Sequence, residues 1–488
     1  MNAESFHATV KTYLTNATKP LQGSEHCPRI RRSVALALSH GACTIAHSAP
    51  DITKMKQLRI SIPAILLSLS LAGCDETRKT PPNVAIAFVN AAPSFSSVAV
   101  LREETTAADL TYRESAGGSF GADTYDFHFE VGPNAEDRPR PVSFALELVA
   151  GTEYTIMATE VNGELQQRII ETPTDAEGAG IVHLAPMLAA VDVYVLAPGT
   201  DPASATPLGS VSFGQQLDPA PIPAGDVEVV LTDASNPAAV LLRSTAVSLP
   251  AGASIFFTIV DDAGAGFADT AVIVSGAANF SFVDQSLQSS VRVLQAVSGQ
   301  SALDFGIDGD LDPPLFPSVP FGAISDFTLV DAGMPNITVT PEGNPSVIEL
   351  DLPFTAEAGR FQTIFVAGNA GDTNGAISLD DFRPIAGEAK LNFYNGADLF
   401  QFAEFFVVPP GTDISQEQPT LSLQARDASS NIAIASGNYE LTIRDTINLT
   451  ILAGPTAITL DEGGFYSVLV TDAAGGATVD LTLFDDFN

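Results

Sequence analysis

Beyond residue 83, short hydrophobic runs alternate with Gly, Pro, Asn and Asp. Val191-Asp192-Val193-Tyr194-Val195 switches between apolar and polar with period two, as does Asp226-Val227-Glu228-Val229. Successive Cβ atoms of a strand point to opposite faces, so this pattern predicts half-buried β-strands. No stretch sustains a 3.6-residue period. The predicted elements are therefore strands separated by tight turns, and the fold class is all-β.

The strands recur in blocks. VYVLAPGTD (193–201) is matched by FFVVPPGTD (405–413), and GDVEVVLTD (225–233) by GNYELTIRD (437–445), both at an offset of 212 residues. LPAGASIFFTIVDDAG (249–264) is matched by LDEGGFYSVLVTDAAG (460–475) at an offset of 211. Intermediate copies fall near half that distance. A glycine before a hydrophobic strand recurs at Gly151, Gly252, Gly359 and Gly463, in turns expected to need φ > 0. A Phe-Gly pair recurs at Phe120-Gly121, Phe213-Gly214 and Phe321-Gly322, with Leu423-Gln424 near the corresponding point of the fourth copy. Opening strands recur at VAIAFVNAAP, GIVHLAP, VRVLQA and AKLNFYNGA.

A copy of about 100 residues, with about seven strands, buries its alternating faces most simply as a two-layer sandwich. The prediction is four tandem antiparallel β-sandwich modules, immunoglobulin-like or transthyretin-like, over residues 83–180, 181–288, 289–387 and 388–488. They are expected as four beads in a row, with a four-bladed propeller as the competing architecture. Extended, such a row reaches over about 100 Å.

These landmarks resemble a bacterial family known as domain of unknown function 4397. Its opening strand resembles V-R-x-x-N/H-A-x-P, followed by V-D-V-Y-V, an F-G step and P-A-G before a strand. The second copy matches best, through His183, Ala185-Pro186, Val191 to Val195, Phe213-Gly214 and Pro223-Ala224-Gly225. The first matches through Phe88 to Pro93; the third and fourth have drifted. The resemblance implies tandem sandwiches in a secreted or envelope-anchored protein. It transfers no catalytic residue.

Upstream of the repeats the pattern changes. From Met55, MKQLRISIPAILLSLSLAGCDE has a basic start (Lys56, Arg59), an apolar middle from Ile60 to Leu71, and Leu71-Ala72-Gly73-Cys74 at its end. Twelve helical residues span about 18 Å, short of a ~30 Å hydrocarbon core. These are the parts of a secretory signal, and Leu71 to Cys74 resembles a bacterial lipobox. The resemblance implies cleavage before Cys74 and acyl chains, palmitate among them, on that residue. Two or three chains anchor stably where one does not. Residues 55–74 are thus read as the signal, 75–82 as a tether, and 1–54 as an upstream mis-start or disordered extension. Asp75 resembles an inner-membrane retention signal of enteric bacteria, a rule that varies among bacteria, so inner and outer membrane both stay open.

Charge narrows the partners. The chain carries 58 acidic against 22 basic residues, a formal charge of −36. Residues 1–74 hold eight of the bases and three of the acids, which leaves −41 for the remainder. Such a surface repels phosphate backbones, so nucleic-acid binding is excluded as an expectation. All three cysteines (Cys27, Cys43, Cys74) precede residue 75, so the repeats have neither disulfides nor cysteine metal sites.

Candidate chemistry is sparse. Gly117-Gly118-Ser119-Phe120-Gly121 fits G-x-S-x-G, but a strand pattern follows where a nucleophile elbow needs a helix. Only His128 and His183 lie beyond Cys74. Carboxylate pairs such as Asp261-Asp262 and Asp380-Asp381 read by default as turns. Calcium is the one cofactor candidate. Asp372, Asn374 and Asp381 take EF-hand-like spacing, with Ala370 at the first ligand position and no helical flanks; the bland alternative is a hairpin with an Asn-Gly turn. Asp308, Asp310 and Asp312 form a second oxygen-rich turn. Phe405, Phe406, Phe465 and Tyr466 read as core before sugar platform.

The sequence thus predicts a lipid-anchored, non-enzymatic cell-envelope protein presenting tandem modules for binding, adhesion or spacing. Its expected partners are a membrane through the anchor and a glycan or protein ligand. The alternative is an envelope hydrolase acting on polysaccharide or peptide.

Overall fold

The computed structural model describes residues 81–132, 138–249, 252, 254–261, 270–473 and 478–486. The signal, with Leu71, Ala72, Gly73 and Cys74, and the 1–54 segment lie outside them, as does the tether up to residue 80.

Strands β1 to β35, numbered in chain order, form eight sheets that pack in pairs as four sandwiches. In the first, β1 (Asn83–Ala91), β4 (Ser115–Gly121), β7 (Thr152–Val161) and β8 (Glu164–Pro173) run in the order β4-β1-β7-β8. The facing sheet holds β2 (Ser97–Arg102), β3 (Thr105–Thr111), β5 (Thr124–Val131) and β6 (Val142–Glu147) in the order β3-β2-β5-β6. The second sandwich opens with β9 (Gly178–His183) beside β16 (Ser254–Asp261) and β17 (Thr270–Gly276). The third opens with β19 (Ser289–Ser298) beside β25 (Phe361–Asn369) and β26 (Asp372–Asp380). The fourth opens with β27 (Glu388–Asn395) beside β34 (Phe465–Asp472) and β35 (Val479–Asp485).

One topological feature recurs in all four. The opening strand pairs in parallel with a late strand: β1 with β7, β9 with β16, β19 with β25 and β27 with β34. The other ladders are antiparallel, so the sheet carrying the opening strand is mixed.

In the first sandwich, the edge strand β6 of the sheet without the opening strand alternates: Val142 is buried, Ser143 exposed and Phe144 half-buried. The sheet with the opening strand is buried on both sides. In β1, Val84, Ile86 and Phe88 enter the sandwich core while Val89 and Ala91 point the other way. Sheets covered on both faces read as near-continuous apolar runs.

The second face covers a neighbour, which corrects the beads-in-a-row expectation. Val89, Met157 and Ile170 of the first sandwich pack against Val182, Phe256, Val260 and Ile273 of the second. Leu294, Ala296, Phe365 and Ala367 of the third pack against Tyr394 and Leu469 of the fourth. Burying each such aromatic or aliphatic side chain contributes about 1.5–3 kcal/mol, more than an exposed linker could oppose. The same sheet serves in both pairs, so the structural unit is two sandwiches. This accounts for the 212-residue offset.

A buried polar latch closes the opening strand of each sandwich. Asn90, His183, Gln295 and Asn395 are each fully buried, and each accepts a hydrogen bond from the backbone N–H two residues on. The carbonyl of each latch residue accepts from a residue at positive φ: Arg113, Gly214, Gly322 and Arg426, at φ of 72°, 78°, 74° and 65°. The equivalents of the Phe-Gly pair in the first and fourth sandwiches are therefore Tyr112-Arg113 and Ala425-Arg426. Phe120-Gly121 is not one of them: it lies within β4, and Gly121 pairs with Asn83. Gly151, Gly252, Gly359 and Gly463 do sit at positive φ (87°, 68°, 65° and 73°), as their repeat position predicts.

Candidate functional site

Two arginines occupy latch turns where the other sandwiches have glycine. A side chain in the left-handed region is unfavourable, and such positions are worth functional scrutiny. Arg426 binds Asp398 and Asp372 within its own half of the molecule, at 2.6 and 2.9 Å. Arg113 instead lies at the place where all four sandwiches meet.

Tyr112 organises that junction. Its hydroxyl donates to the backbone carbonyl of Asp261 in the second sandwich. The guanidinium of Arg383, on the link between the third and fourth sandwiches, stacks over its ring at 4.8 Å. Arg383 also donates Nη1–H to the carbonyl of Pro93 at 2.7 Å and binds Asp381 through Nε and Nη2 at 3.0 and 2.7 Å. Lys390, on β27, donates to the same carboxylate at 2.9 Å and to the carbonyls of Asp381 and Arg383. Ser96, Arg113, Ser281, Arg360, Lys390 and Asn431 are among the residues enclosing a cavity of about 310 Å³ between these elements.

A second cavity of about 610 Å³ adjoins the first and shares Arg113, Ser281 and Arg360 with it. Its remaining wall combines apolar Phe282, Val283, Met334 and Ala356 with the polar side chains of Gln285 and Glu357. Among the described residues only twelve are basic, and four of them line the first cavity. The crowding has electrostatic consequences. Burial lowers the pKa of Arg360, and repulsion from Arg113 and Arg383 lowers it further, against the attraction of Glu357 at 3.8 Å. Burial likewise brings Lys390 down to about 8, opposed by Asp381. For Asp381, burial alone would raise the pKa; Arg383 and Lys390 outweigh it and hold the carboxyl at about 2.

Behind this wall lies a buried polar network. Arg292 donates to Asp486 at 2.7 Å and to Thr363 at 2.7 Å, and its guanidinium stacks on Phe327 at 4.7 Å. Asp380 accepts from Thr363 and Asn392, each at 2.6 Å. Burial pushes its pKa up to about 6 despite the nearby Arg292.

Most of the residues singled out in the sequence fall elsewhere. Gly117 to Gly121 lie inside β4, with no sharp turn at Ser119. His128 hydrogen-bonds Ser143 on the adjacent strand, and His183 is a latch. Asp308 accepts the backbone N–H of Asn336 at 2.8 Å, across two neighbouring strands, and Asp310 that of Asp312 at 3.3 Å within its own turn, so both serve as backbone acceptors. Asp372 and Asn374 are on β26 and Asp381 follows its end, so a rise of ~3.3 Å per residue puts Asp372 and Asp381 roughly 30 Å apart. The EF-hand-like spacing is thus a strand and not a loop. Its hairpin turn is Ala370-Gly371, between the paired Asn369 and Asp372, and not Asn374-Gly375. Among the described residues no group of three or more His, Cys, Asp or Glu side chains is placed to hold a metal ion. Phe405, Phe406, Phe465 and Tyr466 are buried, as expected of core. Asp380 and Asp381 line the junction crevice, and Asp261 meets Tyr112 there through its backbone carbonyl.

Residues 289–401 match the family described as domain of unknown function (DUF4397). They span the third sandwich and the opening strand of the fourth, not the second sandwich, where the short motifs are most literal. The third keeps the latch with Gln295 in place of His183, so the shared architecture outlasts the letters. A search of curated proteins finds no match.

Proposed function

We propose that the protein works at a bacterial cell envelope, held through acyl chains on Cys74, as a non-enzymatic binding or scaffolding protein. The observation that carries this reading is the junction. Four sandwiches converge through Tyr112, Arg383 and Lys390 on one composite crevice, an arrangement suited to presenting a binding surface in a fixed geometry. The anchor half rests on the lipobox pattern at Leu71 to Cys74. Intact mass measurement of the native, membrane-extracted N-terminus tests it. A chain beginning at acylated Cys74 is expected; a soluble chain retaining residues 1–54 would refute it.

One observation favours the hydrolase reading. Asp380 and Asp381 both line the crevice, with carboxyl pKa values driven apart to about 6 and about 2, as in acid–base pairs. Against it, the Asp380 carboxylate is buried and engaged by Thr363 and Asn392, and that of Asp381 by Arg383 and Lys390. An activity against envelope polysaccharide or peptide that Asp380→Asn abolishes would establish this alternative.

A further inference from the structure

Both junction cavities are bounded by Arg113 and Arg360, and the larger one continues over a partly apolar wall. This gives one space two chemistries: guanidinium forks at one end, hydrocarbon at the other. Planar guanidinium groups match carboxylate geometry and are less strongly hydrated than ammonium, so they suit an anion in a partly dry crevice. Glu357, 3.8 Å from Arg360 in the same wall, offsets part of the repulsion that Arg113 and Arg383 exert on Arg360, and a bound carboxylate adds to that offset. Met334, 81% exposed at the rim, offers an unbranched, adaptable side chain of the kind used to cover variable apolar ligands. About 610 Å³ lies within the range of small-molecule sites.

We propose that the junction binds a small organic carboxylate with an apolar tail, its head between Arg113 and Arg360 and its tail over Phe282, Val283 and Met334. Arg383 and Lys390 hold the site together through Asp381, so they position the wall without touching the ligand. The site joins sandwiches from both pairs, and a ligand that fills it favours the assembled state over any in which the pairs separate.

This inference goes beyond the anchoring reading and is independent of Cys74. The test uses the full chain carrying Cys74→Ser, which cannot be acylated and needs no detergent. Calorimetric titration with octanoate, octanol and acetate separates head from tail. Octanoate is expected to bind at least about tenfold more tightly than either of the others. Arg360→Gln, in a side chain 37% exposed, is expected to weaken octanoate by a similar factor, and Met334→Ser to weaken octanoate without changing acetate. Thermal melts verify that each variant folds; should Arg360→Gln fail to, Arg360→Lys supplies the head-group test. No octanoate binding, equal binding of octanol, or full binding by a folded arginine variant overturns the proposal. None of these results bears on whether Cys74 is acylated in the native protein.

Discussion

The Arg383 guanidinium lies 4.8 Å above the ring of Tyr112, so a residue linking the third and fourth sandwiches is fastened to a turn of the first. The same arginine neutralises Asp381, whose side chain is only 20% exposed. Removing the arginine leaves Asp381 to Lys390 alone and also breaks the bond to Pro93, against a cost of about 3–5 kcal/mol where a buried charge loses every partner. Arg383→Ala is therefore expected to lower the urea midpoint strongly and to enlarge the radius of gyration in solution scattering. Tyr112→Phe keeps the ring and loses only the hydroxyl bond to Asp261, so about 1 kcal/mol is expected. Similar losses from the two substitutions would contradict the role given to the arginine.

The latch residues make a contrasting prediction. Asn395 accepts from Ala397 N–H and donates to the carbonyl of Leu423; Asn395→Leu leaves both groups buried and unbonded, for about 1–3 kcal/mol. His183→Asn replaces the latch by the residue two other sandwiches use, so the loss is expected to be smaller. It should also remove a pH dependence. Burial lowers the pKa of His183 from its ordinary 6.5, so the unfolded chain takes up a proton before the folded one does. Stability from this group is full above 6.5 and declines as the pH falls through the folded value. Urea melts between pH 7 and 5 should diverge between wild type and His183→Asn if this holds.

How much of this was legible in the sequence differs by level. Period-two patterning and recurring glycines disclose the strands and the sandwich repeat, because burial of one face and a positive-φ turn each force a residue type. The pairing of sandwiches left a signal too. Ile255 to Phe257 and Ile364 to Ala367 are apolar on successive positions, as befits strands covered on both faces. Periodicity alone does not say what covers the second face. The junction was hidden for another reason. Arg113 and Arg383 are 270 residues apart, and neither belongs to a motif. The available clue was aligning Tyr112-Arg113 with Phe213-Gly214, which requires knowing that both turns bond the same latch carbonyl.

The two neighbouring aspartates should leave opposite marks on stability. Asp380 keeps its proton to about 6 when folded, against an ordinary 3.8, so the folded state binds more protons between those values. Stability should fall across that window as pH rises, by up to about 3 kcal/mol. Asp381, held at about 2, contributes stability above 3.8 that is lost as pH falls toward 2. Asp380→Asn should flatten the upper limb and leave the lower one, while Arg292 keeps its 2.7 Å bond to Asp486. Other carboxylates titrate in the same range, so the difference curve between variant and wild type is the informative measurement. A difference curve flat from pH 4 to 6 would show that Asp380 is not the group responsible.

The sandwich pairs should also behave as units in unfolding. Phe256 lies against Gly180, where an added Cβ would come within 2.4 Å of its ring, and it faces Met157 and Val89 of the first sandwich. Phe256→Ala removes a side chain that contacts both sandwiches, at about 3–5 kcal/mol. Its predicted signature is loss of coupling beyond a lowered midpoint. Differential scanning calorimetry should show the first pair's transition broaden or split while that of the second pair, sealed by Phe365 and Tyr394, keeps its temperature. Gly180→Val forces the same ring aside from beneath and should produce the same split with no aromatic lost. If both variants instead shift a single sharp transition, all four sandwiches unfold together, and the junction around Tyr112, not the pairwise sheet contact, sets the cooperative unit.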